Sequence, residues 1–124
     1  MIGKCALALT TAFAILWFAP PATAAAFDGS WNMIAVTTDG HCGQIRIGLA
    51  ISQGGISSTR GKFVFRRIQI AGRVAGSGQA KLAAVAGPRE AQGAGRFAGS
   101  RATGTWSGTG PSGVCSGFWN AMRA

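Results

Sequence analysis

"TGTWSGTGPSGVCSGFWN", residues 103–120, decides the fold. A Pro-Ser-Gly turn signal sits between two arms in which glycine or tryptophan alternates with threonine, serine or asparagine. If Ser112 and Gly113 hold the centre of the turn "PSGV" (111–114), the arms pair antiparallel with Trp106 directly opposite Trp119. One face then carries Gly104, Gly108, Gly110, Cys115, Gly117 and Ala121 beside the two indoles. The other carries Thr103, Thr105, Ser107, Thr109, Ser116 and Asn120, with Phe118 and Met122 as its apolar exceptions. A period of two marks half-buried strands, and alternation of small with large residues is how a narrow barrel fills its interior. The phrase Gly-x-Trp also occurs at Gly29/Trp31, so Trp31, Trp106 and Trp119 are expected to share one core.

The same period runs outward from this hairpin. "GQIRIGLAI" (43–51) sets Ile45, Ile47, Leu49 and Ile51 on one face and Gln44, Arg46, Gly48 and Ala50 on the other; "SQGG" then turns the chain, and Ile56 starts a short return strand. In "RGKFVFRRIQI" (60–70) Phe63 and Phe65 share a face that excludes Arg60, Lys62 and Arg66, while Ile68 and Ile70 fall out of phase. A bulge near Arg66 and Arg67 would restore the register. "GRVAGSGQAKLAAV" (72–85) reads as a hairpin turning at Gly76, Ser77 and Gly78, "GPRE" (87–90) as a longer turn led by Pro88, and "AQGAGRFAG" with "RATGTWSG" as another strand pair. With 20 glycines in the chain, helices are disfavoured, and turns recurring roughly every ten residues match an antiparallel sheet. The expected fold is all-β: a small antiparallel up-and-down barrel or sandwich of about seven to eight strands.

At the other end of the chain, Lys4 precedes an unbroken apolar or small stretch over residues 6–18, then Pro20, Pro21 and small residues. This is the layout of a cleaved N-terminal signal helix, and the stretch is shorter than the roughly twenty residues of a bilayer-spanning helix. The division expected is a signal peptide over 1–24 and a single all-β domain over 25–124, with cleavage after Ala24 or Ala26. An exported, periplasmic or extracellular location follows. Cys5 would leave with the signal, so Cys42 and Cys115 are expected to form one disulfide in that oxidising compartment. A metal site built from Asp39, His41, Cys42 and Cys115 is the rival reading, and it lacks the paired spacing of zinc sites.

The net charge is +9, so anionic partners are expected, with nucleic acid disfavoured. Arg46, Arg60, Lys62, Arg66 and Arg73 are the residues expected to contact acidic polysaccharide or lipid headgroups. The alternation at 60–67 argues for a wet outer face over a buried inner one, rather than a nucleic-acid groove. Beyond the signal there are one histidine (His41), three acids (Asp28, Asp39, Glu90) and no tyrosine, so general acid–base chemistry has few candidates. No GxSxG elbow is present, and Phe63 follows Lys62 where a phosphate loop needs serine or threonine. A non-enzymatic protein without cofactor is expected; an enzyme centred on His41 is the alternative.

Two resemblances add to this reading. Gly29, Trp31 and Arg123 resemble the calycin pattern of lipocalins and avidins, in which a first-strand tryptophan closes one barrel end; the resemblance implies carriage of a small apolar ligand or protease inhibition. "FDGSWNMIAVT", "GRVAGSGQAKLAAV", "GAGRFAGSRATGTWSG" and "GVCSGFWNAMR" are similar to a family of small exported bacterial proteins of uncharacterised function, in which DGxW, GSGTWxG and CSGxW recur in this order. Haem-related roles are associated with some of those relatives, and here only His41 and a few methionines could serve as axial ligands. The expected function is a non-catalytic exported barrel touching anionic envelope material. The alternative is a calycin-like carrier or protease-inhibitor module, with an apolar pocket walled by Trp31, Trp106 and Trp119.

Overall fold

The structure is a computed structural model that describes residues 24–124; the expected signal helix lies outside them except for Ala24. A short 3-10 helix (Ala24–Phe27) leads into β1 (Gly29–Asp39), β2 (Gln44–Ser52), β3 (Gly55–Arg60), β4 (Lys62–Phe63) and β5 (Arg66–Arg67). There follow β6 (Gln69–Val74), β7 (Gln79–Ala86), β8 (Arg89–Ala98), β9 (Arg101–Gly110) and β10 (Gly113–Arg123). Eight strands close into an antiparallel barrel in the order β1-β10-β9-β8-β7-β6-β3-β2, and β4 with β5 forms a separate ribbon. The expectation of an all-β barrel therefore holds.

The alternation read from the sequence sets the burial. Ile47, Leu49 and Ile51 of β2 are buried while Arg46 faces out, and β7 buries Ala80, Leu82 and Ala86 between the exposed Gln79, Lys81, Ala83 and Val85. Burial of these apolar faces is the main favourable term of such a fold, at about 25 cal/mol per Å².

The last hairpin differs from its expected register. Gly113 pairs with Gly110, so Pro111 and Ser112 form a two-residue turn, Trp119 lies opposite Gly104, and Trp106 lies opposite Gly117. Each tryptophan thus faces the glycine of the other's Gly-x-Trp phrase, and the indoles do not oppose each other. A Cβ on Gly104 would stand 2.6 Å from Trp119 Nε1, and one on Gly95 of β8 would stand 2.5 Å from its Cζ2. The indole of Trp119 packs against the glycines of two strands, and a side chain at Gly95 or Gly104 would enter its space.

Two more expectations are corrected. "GPRE" is a tight turn: Ala86 pairs with Arg89 and only Gly87 and Pro88 intervene, Gly87 at φ 60 holding the first central position as in type II′ turns. The bulge expected near Arg66 and Arg67 is instead the β4–β5 ribbon, which turns at Val64 and Phe65. Phe63 is half-buried against the core, but Phe65 sits at the tip and does not share its face.

Candidate ligand cavity

The two ends of the barrel are built differently. At one end the 3-10 helix folds across the opening. Trp31 is 1% exposed and its Nε1–H donates to the carbonyl of Phe27 at 2.8 Å. Phe97, equally buried, gathers Phe27, Trp31 and Trp119 around it, with ring centroids 5.6, 4.9 and 6.1 Å away. Tilted and edge-on aromatic pairs at such separations are favourable beyond the area they bury. Arg123 covers the outside: its guanidinium lies 4.8 Å from the Trp31 ring centre and donates to the carbonyls of Asp28 and Ala26. The Asp28 carboxylate accepts from the backbone amides of Gln53 and Gly54, tying the entry of β1 to the β2–β3 turn. This end is plugged, and the whole arrangement fits a calycin-like fold.

The opposite end carries the disulfide and stays open. Cys42, in the loop after β1, is bonded to Cys115 of β10 with 6.2 Å between their Cα atoms. Both sulfurs are engaged with each other, so neither serves as a thiolate for the metal reading. His41 is exposed on the same loop. Inside this end lies a cavity of about 120 Å³, lined chiefly by apolar side chains including Ile45, Ile47, Phe63, Leu82, Trp106 and Trp119.

Polar groups at the cavity are few. The tight turn at Gly87 and Pro88 sets Arg89 in phase with the inward-facing Ala86, and its guanidinium lies 5.5 Å from the ring centre of Phe63 at the mouth. Trp106 Nε1–H reaches across β10 to the carbonyl of Val36 at 3.3 Å. Trp119 is 2% exposed, and its Nε1–H finds no acceptor among the described residues; Thr37 Oγ1 is the other such buried atom. An unpaired buried donor is costly, by about 1–3 kcal/mol, and that of Trp119 faces Gly93 and Gly104.

Of the three tryptophans expected to wall a pocket, Trp106 and Trp119 line the cavity, whereas Trp31 belongs to the plug at the other end. Arg46, Arg60, Lys62, Arg66 and Arg73 are all exposed. Lys62 and Arg66 share the β4–β5 ribbon and Arg60 immediately precedes it. Arg46 lies on the outside of β2, and Arg73 faces out of β6, opposite Lys81 of β7. Sequence reasoning missed Phe97, which is apolar on a strand otherwise full of glycine and alanine, and Arg89, whose inward direction depends on the turn length. No family model matches the chain, and no curated protein matches it in sequence.

Proposed function

We propose that the chain is a non-catalytic binding barrel that takes a small apolar molecule into the cavity at its disulfide end. The observation carrying this reading is an apolar cavity of about 120 Å³ at an unplugged end, walled in part by Trp106 and Trp119. Apolar cavities of roughly this size, about 150 Å³, hold a benzene-sized guest. The ligand class is therefore a compact, largely hydrocarbon molecule. His41 lies outside the cavity lining, which supports a binding role over a catalytic one. The Cys42–Cys115 bridge is compatible with an exported location.

The test is a titration of tryptophan emission with small aromatic alcohols and ketones, repeated with Ala84→Phe, which fills the cavity from β7. Saturable quenching in the natural chain that vanishes in the variant supports the proposal. Unchanged emission and melting temperature at millimolar ligand would overturn it.

The net charge of +9 favours a second role alongside the first, contact with anionic envelope material through the exposed Arg46, Arg60, Lys62, Arg66 and Arg73. Retention on an acidic polysaccharide that weakens steeply with salt is expected. Retention independent of salt would count against it.

A further inference from the structure

The β4–β5 ribbon leaves the barrel wall between β3 and β6 and stands at the rim of the open end, where Phe63 lines the cavity. Its tip is Val64 and Phe65, 49% and 96% exposed. Water is a poor environment for both side chains, and the backbone is a poor one too. Val64 has φ 50 and Phe65 φ 64, the left-handed pair of a type I′ turn that Asn-Gly fills without strain. A β-branched residue there is an outlier. Neither local propensity nor core packing accounts for these two residues in this turn.

The flanks are equally unfavourable in isolation. Lys62 pairs directly with Arg67, and Arg66 stands opposite Phe63, so the ribbon sets like charges across from each other. Like charges in that position repel. Arg66 packs its stem near Gly87, and Arg89 lies over Phe63, which brings further positive charge to the same rim. Asp39 and Glu90 are the acids at this end. Val114, exposed beside the turn at Pro111 and Ser112, adds an apolar side chain at the same level.

We propose that this ribbon is a membrane-docking element: Val64 and Phe65 enter the acyl boundary of an anionic bilayer while Lys62, Arg66 and Arg67 hold its headgroups. An apolar tip ringed by cations is complementary to that surface, since insertion desolvates the tip and lipid phosphates relieve the repulsion between Lys62 and Arg67. An acidic polysaccharide would satisfy the cations but leave Phe65 in water. Docked in this way, the cavity mouth faces the bilayer, and an apolar guest passes between lipid and barrel without crossing water. The inference rests on the anionic-contact reading and narrows it to one partner and one segment.

The test is co-sedimentation of the protein with vesicles of phosphatidylcholine alone and of phosphatidylcholine with phosphatidylglycerol. The natural chain is expected to bind only the second kind. Val64→Asn/Phe65→Gly supplies the preferred turn, so it should melt at the same temperature or higher while partitioning at least about tenfold less, as loss of one buried phenylalanine requires. Phe65→Trp should bind like the natural chain, with emission that shifts to the blue and is quenched by brominated lipid. Vesicle binding that the Asn-Gly variant retains in full, or emission of the Phe65→Trp chain unmoved by lipid, overturns tip insertion while leaving the anionic-contact reading intact. Absence of binding to either vesicle, with retention on polysaccharide, overturns the membrane as partner. Failure on all three surfaces removes both readings.

Discussion

The guanidinium of Arg123, from the last strand, lies 4.8 Å from the ring centre of Trp31, from the first, and closes the barrel end over it. Because the group also donates to two carbonyls, its planar fork serves two purposes that an ammonium cannot combine. Arg123→Lys is expected to lower stability by about 1 kcal/mol and Arg123→Ala by about 2 kcal/mol, measured by urea unfolding. Equal stability of all three chains would show that the stack contributes nothing.

The plug also bears on where the folded chain should begin. Asp28 N–H donates to the carbonyl of Ala25, and Arg123 donates to that of Ala26. A chain beginning at Ala25 keeps both acceptors; one beginning at Phe27 loses them and most of the 3-10 helix. The longer chain is expected to be the more stable by roughly 1–2 kcal/mol, which thermal melts of the two would resolve.

Glycine is required under Trp119 to different degrees. A Cβ on Gly104 would lie 2.6 Å from the indole and closer still to the carbonyl oxygen of Ala94, whereas one on Gly93 would come no closer than 3.3 Å to any neighbour. Gly104→Ala should therefore destabilise by about 3 kcal/mol and Gly93→Ala by less than about 1 kcal/mol, as judged from denaturant midpoints. Similar midpoints would mean that both the indole and the backbone at Ala94 give way.

The bridge between Cys42 and Cys115 spans 73 residues. On the chain-entropy account, Cys42→Ser/Cys115→Ser should lose about 4 kcal/mol, and its effect should be mimicked by reductant on the natural chain. Since Cys42 and Cys115 also border the cavity, guest binding should weaken in parallel.

Much of the barrel could be read from residue order, and the exceptions have physical causes. The faces of the 103–120 hairpin were legible, because alternation survives any slip by an even number of residues. For the same reason its register was not: moving the turn centre from Ser112–Gly113 to Pro111–Ser112 leaves every side chain on its own face and changes only which residues meet. The β4–β5 ribbon was hidden because Val64 and Phe65 lack the glycine or asparagine that announces such a turn, so residues 60–67 imitate a barrel strand. Trp106 and Trp119 could be nominated for a cavity from glycine spacing. That Trp31 lies outside the cavity lining could not, since it depends on which end of β1 the 3-10 helix covers.

Along most of the sheet each strand bonds to its neighbour in sequence, so a meander can zip up turn by turn at small entropic expense. The β3–β6 pair skips only the short ribbon, so the β1–β10 ladder is the long-range exception, joining the two ends of the described chain at Trp31 and Arg123. Loop closure of that length slows assembly, which makes this seam the step on which the rate of folding should depend. The cysteines flank that seam, one just past the end of β1 and the other near the start of β10. Oxidised before folding, the chain would start its search with the two margins already tethered, so the covalent link would hasten closure of the ring as well as clasp it.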